Sequence, residues 1–290
     1  MSHIKVASAK EFAFTARDFE RVRALIYQRA GISLADSKQE MVYSRIARRL
    51  RASGIGAFST YLDELEAGRL GDEWEAFTNA LTTNLTSFFR ESHHFPLLAA
   101  YLQALKSQPG QPGAPITIWC SASSTGEEPY SIAMTACEAF DSLHPPVQIV
   151  ATDIDTNVLA VGESGVYGIE RLDKMAPQRA KRFFLRGKGA QEGMVRVRPE
   201  LRQLVTFRQL NLLADGWPLK GQFDVIFCRN VMIYFDKATQ RKILARFVPL
   251  MKPQGLLFAG HSENFLYVSD TLKLRGKTVY ELDQGRVGVR

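Results

Sequence analysis

Residues 116–134 read ITIWCSASSTGEEPYSIAM and residues 149–155 read IVATDID, and these two runs decide the fold class. Ile116 to Cys120 has the apolar character of a buried strand, and Ser121 to Gly126 is a loop of small residues. A helix is predicted from Pro129, with proline near its first position. A strand, a small-residue turn and a helix bring backbone close to a ligand at a helix N-terminus. The second run is a strand ending in Asp153, where nucleotide-binding α/β folds place an acid against ribose hydroxyls. Together they predict a nucleoside-cofactor site, although an ordinary βαβ turn without a nucleotide has the same outline.

The loop matches neither standard glycine fingerprint. Gly126 stands alone where a dinucleotide turn shows G-x-G-x-x-G, and the G-x-x-x-x-G-K-[ST] of a phosphate loop is missing. Glu127 and Glu128 stand where a pyrophosphate would rest; they would repel it and attract a cation. S-adenosylmethionine has an adenosine, a ribose diol, a sulfonium and an α-amino group but no phosphate. It suits this turn better than NAD or ATP.

Outward from the two runs, strands and helices alternate: 116–120, 129–140, 147–152 and 156–163, then 223–228, 237–248 and 256–259. That is the rhythm of a parallel sheet, and Thr278–Leu282 reads as a final strand. Residues 165–210 break the rhythm with eleven Lys/Arg against four Asp/Glu. This segment has a helical piece near Pro177–Phe184, the loop RGKGAQEG, and strand-like runs at Met194–Arg198 and Leu204–Gln209. An antiparallel insertion is expected.

Upstream, residues 1–85 read as short helices. Thr15 with Asp18 is a capping signal, followed by Phe19, Val22 and Ile26 at helical spacing up to Gly31. A second helix is predicted over about Ser37–Ser53, with Val42, Ile46 and Leu50 facing inward and Arg45, Arg48 and Arg49 on the other side. With Arg51 these form a basic cluster, and no acid occurs from Met41 to Leu62. A docking face for an acidic partner is the expectation, against the plainer reading of a solvated face. Helices are predicted near Phe58–Leu65, Trp74–Leu81 and His93–Lys106, and QPGQPGAP at 108–115 is a surface loop.

The 290 residues are 46% hydrophobic and 23% charged, the composition of a soluble globular protein. No apolar run approaches the roughly 18 residues that span a bilayer. The start, MSHIKVASAKEF, lacks the apolar core of a secretion signal. Cys120, Cys137 and Cys228 lie in apolar segments without C-x-x-C spacing, as expected of reduced thiols in a cytoplasmic protein. The five histidines show no ligand spacing with them, so no metal is expected. The net charge of +7 raises nucleic acid as a partner, but local patches serve equally to dock an acidic protein.

Six runs resemble the CheR family, the chemoreceptor glutamate methyltransferases of bacterial chemotaxis: TTNLTSFFRESHHF (82–95), STGEEPYSIAM (124–134), ATDIDTNVL (151–159), RGKGAQEGMVRVR (186–198), FDVIFCRNVMIYFD (223–236) and LLFAGHSENF (256–265). The resemblance covers nearly the whole chain. It implies an all-α receptor-recognition domain over 1–85 and a Rossmann-like S-adenosylmethionine-dependent methyltransferase domain over 86–290. The latter would have a seven-stranded sheet and a small antiparallel β-subdomain at about 165–210. The implied product is a glutamyl methyl ester on the cytoplasmic helices of membrane chemoreceptors, with S-adenosylhomocysteine released.

By motif position the resemblance implies cofactor contacts at Asn84, Thr86, Arg90, Glu128, Asp153, Asn211, Leu212, Arg229 and Asn230. Glu127 competes with Glu128 on the same turn. Asn211 stands where related enzymes carry an acid. Glutamate is already ionised at neutral pH, so methyl transfer needs positioning rather than a base. Arg90 is expected to pair with the reacting carboxylate and Tyr234 to orient it. His93, His94 and His261 are read as structural. Arg186, Gly187, Gly189, Gly193, Arg196 and Arg198 form the implied capture site for a receptor C-terminal tail, added as a strand at a sheet edge. A nucleic-acid methyltransferase would carry an [ND]-P-P-[YF] loop where this chain has CRNVMIY. A catalytically silent cofactor-binding docking module remains the other alternative.

Overall fold

The computed structural model describes residues 10–107 and 114–285; most of the QPGQPGAP loop lies outside the described residues. The chain divides into two compact units after Thr82, three residues before the expected boundary at 85.

The first unit contains α1 (Ala16–Ala30), α2 (Gln39–Ser53), α3 (Phe58–Glu66) and α4 (Glu73–Leu81). The predicted capping box opens α1: the Thr15 hydroxyl accepts from the Asp18 N–H at 3.1 Å, and Asp18 accepts from the Thr15 N–H at 2.9 Å. Gly31 ends the helix at φ 68°. Val22, Ile26, Val42, Ile46 and Leu50 are wholly buried, as their spacing requires.

The polar side of α2 differs from the expectation of an acid-free face. Arg49 makes a bidentate pair with Glu73 at 2.8 and 2.7 Å, and Arg51 pairs with Glu11 at 2.6 Å. Arg45 donates to the carbonyls of Ala80 and Thr82, and Arg48 is exposed. The acids missing from residues 41–62 arrive from α4 and from the segment before α1. Linear spacing along one helix does not report them.

The second unit opens with α5 (His94–Lys106), β1 (Ile116–Cys120), α6 (Glu127–Phe140), β2 (Val147–Asp153) and α7 (Thr156–Ser164). Next come β3 (Val166–Gly168), α8 (Pro177–Phe183), β4 (Phe184–Arg186), β5 (Met194–Val197), α9 (Pro199–Arg202) and β6 (Val205–Gln209). It closes with β7 (Phe223–Cys228), α10 (Lys237–Phe247), β8 (Met251–Ala259), β9 (Leu272–Gly276) and β10 (Val279–Leu282). The main sheet has the order β6-β2-β1-β7-β8-β10-β9; β10 pairs antiparallel with both its neighbours and every other pairing is parallel, so β10 alone runs against the rest. The chain reverses its direction of travel across the sheet between β1 and β7. A crevice opens at such a switch point, beyond the carboxyl ends of the strands.

Alternation along β1 sends Ile118 and Cys120 into one apolar core with α5 and α6, and Trp119 into a second core with α10. The sheet is thus covered on both faces.

A second, three-stranded antiparallel sheet, β3-β5-β4, forms the insertion. One part of the expected insertion belongs elsewhere. Val205–Gln209 pairs parallel with β2, Ile149 opposite Val205 through Asp153 opposite Gln209, and is a strand of the main sheet. The insertion therefore ends before β6, not at 210. The partner, which a short run does not encode, decides parallel from antiparallel. Strand β9 was not expected from LKLRG, whose middle residues are exposed.

Gly126 caps α6 at φ 97°, and a Cβ there would lie 2.8 Å from the Gly162 Cα and 2.8 Å from the Tyr167 hydroxyl. Gly126→Ala is therefore expected to cost about 2–4 kcal/mol, from an unfavourable left-handed residue and from overpacking against α7. Urea denaturation of the full chain measures this. A loss below about 0.5 kcal/mol would show that α7 withdraws freely.

Candidate functional site

The carboxyl ends of β2, β1 and β7 place Asp153, the loop 121–126 and Asn230 around the crevice. Ser124 sits at φ 47° and donates its N–H to the Asp153 carboxylate at 2.8 Å. The Asp155 N–H donates to the other Asp153 oxygen at 3.1 Å. These bonds fix the carboxylate at the end of β2, where it is only 8% exposed. Burial pushes the Asp153 carboxyl up to about 6, against the pull of these backbone donors. Asp155 caps α7 and accepts from the Asn84 amide at 2.7 Å, while the Ser124 hydroxyl donates to the Asn84 carbonyl at 3.1 Å. Asn84 therefore ties the segment before α5 to the loop after β1.

A second cluster is built on Arg229, just past β7. Its guanidinium meets Glu128 at 2.7 Å and Glu91 at 3.3 Å and donates to the Arg90 carbonyl at 2.5 Å. Glu91 also accepts from the Asn230 amide at 3.1 Å and meets the His261 ring at 2.9 Å. Burial alone would raise the Glu91 carboxyl, but His261, Asn230 and the Arg229 charge bring it down to about 2. His94 is fully buried, with Nε2 against the Lys277 carbonyl at 2.9 Å. Burial, then the Arg229 charge, holds its ring down to about 4, so it is neutral near pH 7.

Glu263 completes the wall. One of its oxygens accepts the N–H groups of Val231 and Met232 at 3.0 and 2.8 Å, and the other those of Asn230 and Gly260 at 2.9 and 2.6 Å. It thereby holds Asn230 at φ 57° and ties the loop after β7 to the loop after β8.

The structure thus brings Asn84, Glu128, Asp153, Arg229 and Asn230 into hydrogen-bonded clusters at one end of the sheet. The Arg229 side chain is engaged inside the protein, which leaves its backbone rather than its guanidinium for a ligand. Glu128 shares its charge with Arg229 and accepts from the Cys120 thiol at 3.1 Å. Glu127 is fully buried; its Oε2 accepts from the Thr125 hydroxyl at 2.6 Å, and its Oε1 lies 3.5 Å from the Arg171 guanidinium. Arg90 is half-buried and directs one nitrogen to the Leu85 carbonyl at 2.7 Å. The half-buried Tyr234 lies in a short helical turn after β7. Asn211 follows β6, its side chain accepting from the Leu213 N–H at 2.9 Å; the neighbouring Leu212 is buried, and Thr86 accepts from Arg171 at 3.3 Å through its carbonyl. In the insertion Arg186 and Arg196 are exposed, Arg198 is half-buried, Gly189 and Gly193 have positive φ, and a Cβ at Gly187 would meet the Gln191 carbonyl at 2.0 Å.

Sequence reasoning missed Glu91 and Glu263. Both lie in quoted runs, but a carboxylate that satisfies backbone of another loop has no spacing signature. His261 contacts Glu91 through both its backbone N–H at 3.1 Å and its ring at 2.9 Å.

Two family models match the chain: "CheR methyltransferase, all-alpha domain" over residues 17–82 and "CheR methyltransferase, SAM binding domain" over residues 84–280. The chain is 55% identical to chemotaxis protein methyltransferase 2 of Pseudomonas aeruginosa, covering 93% of this chain and 95% of that one. It is 52% identical to the chemotaxis protein methyltransferase of Escherichia coli, covering 95% and 94%. To that of Salmonella typhimurium it is 51% identical, covering 96% and 94%.

Replacing Glu263 with glutamine turns an NH₂ group toward two of the four N–H donors it now accepts. Glu263→Gln is expected to lose about 2–5 kcal/mol, since each unpaired buried donor costs about 1–3 kcal/mol. Chemical denaturation of the whole chain with an unchanged m-value is the check. Parent-like stability would mean that these loops find other acceptors.

Proposed function

This chain belongs to the CheR methyltransferase family, and we propose that it esterifies glutamate side chains on the cytoplasmic helices of chemoreceptors. It is an S-adenosylmethionine-dependent methyltransferase of chemotaxis. The observation that carries the reading is the buried Asp153 carboxylate at the carboxyl end of β2, beside an acidic loop that would repel phosphate. Its two oxygens, oriented by the Ser124 and Asp155 N–H groups, suit a ribose diol. The acids Glu128 and Glu91 outnumber the Arg229 guanidinium they share, which favours a cation.

S-adenosylmethionine supplies, when bound, a methyl group made electrophilic by its sulfonium. Asp153 would accept the ribose hydroxyls, and Asn211 and Leu212 would hold the adenine. The glutamate nucleophile is ionised at neutral pH, so the chain needs no strong base. Arg90 keeps free N–H donors beyond the one on Leu85 and pairs with the incoming carboxylate as water leaves it. The Tyr234 hydroxyl orients that carboxylate for in-line attack. Arg48 and the exposed arginines of the insertion contact the receptor. The open edges of the three-stranded sheet offer a place for its C-terminal tail to add as a strand. The enzyme works in the cytoplasm, where those receptor helices lie.

Incubation with methyl-labelled S-adenosylmethionine and a receptor cytoplasmic fragment tests the reading. Base-labile label, located on glutamate by mass spectrometry, is expected. Base-stable label or none would overturn it.

Asp153 also sets a pH dependence. Its ionised form accepts the diol, and its carboxyl in the free protein titrates near 6. Cofactor affinity should therefore fall by up to about tenfold per pH unit below that value. The stability of the free protein runs the other way. Because the folded value lies above the ordinary one of 3.8, Asp153's stabilising contribution is complete below that value and is lost as pH rises through about 6. Calorimetric titration at pH 7.5 and 5 checks the affinity. Asp153→Ala should weaken binding by about 1–3 kcal/mol at pH 7.5 and flatten the profile. An unchanged profile in the folded variant would remove Asp153 from the cofactor site.

A further inference from the structure

Two loops beside the site carry large apolar groups into solvent: Ile233 is 52% exposed, Leu266 43% and Tyr267 83%. The Glu263 carboxylate joins these loops, because it binds the N–H groups of residues 230–232 and lies directly before the 264–268 turn. Phe265 is buried and its N–H donates to the Tyr280 hydroxyl at 3.1 Å, which anchors the turn that presents its two exposed neighbours. The exposed apolar groups therefore stand on braced backbone, Ile233 directly before Tyr234 and the other two in the turn after Glu263.

The adjoining charge is one-signed. From Lys237 to Ser262 the chain has five Lys/Arg and no Asp or Glu. Arg246 is engaged with the carbonyls of Ala214 and Asp215 and lies 3.9 Å from the Trp217 ring centroid, and Lys252 pairs with Asp224 at 2.7 Å. Lys237, Arg241 and Lys242 are exposed and meet no acid among the described residues. The flanking Asp236 caps α10 through the Thr239 N–H. This differs from α2, where Arg49 and Arg51 have carboxylate partners. Lys237 and Arg241 are one helical turn apart, about 6 Å along the axis.

We infer that Ile233, Leu266 and Tyr267, with the start of α10, form the docking surface for an acidic amphipathic helix that presents the glutamate to be methylated. The inference rests on the proposed carboxyl methylation. Apolar groups flanking the reactive glutamate at i±3 and i±4 would lie on the exposed apolar patch. Acids one turn apart on that helix would face Lys237 and Arg241. Apolar contact supplies affinity and the basic turn supplies orientation and encounter rate.

Two double variants of the full chain test this: Ile233→Ser with Tyr267→Ser, and Lys237→Glu with Arg241→Glu. Each replaces exposed side chains, and each is compared with the parent for receptor-fragment kinetics and for cofactor affinity by calorimetry. The expected result is an apparent KM for the receptor fragment raised about tenfold, with kcat at saturation and cofactor Kd within about twofold of the parent. The charge variant's defect should shrink as salt rises, and the apolar variant's should not. Parent-like KM in both variants, while the parent places base-labile methyl on receptor glutamate, would overturn the docking surface and leave the reaction standing. A parent that places no base-labile methyl on the fragment would overturn both.

Discussion

The Arg229 guanidinium lies between Glu128 at the start of α6 and Glu91 before α5, with the Arg90 carbonyl as a third acceptor, and its side chain is 1% exposed. An unpaired charge so deeply buried would cost several kcal/mol, so none of the three segments can move away alone. Glu91 passes the constraint on: its oxygens also bind the Asn230 amide and the backbone and ring of His261. One buried cation thus sets the places of the segment before α5, the first turn of α6 and the loops after β7 and β8. Two carboxylates around one guanidinium also leave local negative charge, which gives the crevice its preference for a cationic ligand.

Backbone conformation follows the same centre. Phe89, Glu91, Ser124 and Asn230 are non-glycine residues at positive φ, between 47° and 57°, in the segment before α5 and the loops after β1 and β7. Such positions cost of order 1–3 kcal/mol each and persist only where the surroundings over-determine them. The determining bonds are present. Phe89 donates its N–H to the Ser131 hydroxyl at 2.9 Å, Ser124 to Asp153 at 2.8 Å and Asn230 to Glu263 at 2.9 Å. The two apolar cores against the sheet supply the stability that these strained turns consume.

How much could be read from the residues alone follows from what local patterns encode. Apolar periodicity reports burial, and it located α1, α2, β1, β2 and β7 closely. The Thr15–Asp18 box and the Asp153 strand end were legible because their chemistry acts within a few residues. The parallel pairing of β6 was not legible, because Val205–Gln209 looks alike whether β2 or β5 is its neighbour. The acid partners of Arg49 and Arg51 were hidden for the same reason, being 24 and 40 residues away. Glu263 reaches back more than 30 residues to satisfy backbone N–H groups, which have no sequence identity at all.

Charge in this molecule is therefore arranged on two scales with opposite signs. The net charge is +7, and the insertion and the start of α10 carry exposed bases, yet Glu91, Glu128 and Asp153 stand around the crevice. Exposed charges act through water, screened beyond about 10 Å, and so influence a partner's approach more than its final affinity. Buried carboxylates act at lower effective dielectric over a few ångströms, where sign decides occupancy. A cation is favoured inside and an acidic macromolecule outside, and these preferences do not compete because burial separates them. In the proposed reaction an acidic side chain would cross from the positive exterior toward negative walls, near a half-buried Arg90 that donates to the Leu85 carbonyl. In that proposed reaction, the need for a local counter-charge is the physical reason an arginine, rather than a base, would serve beside the reacting carboxylate.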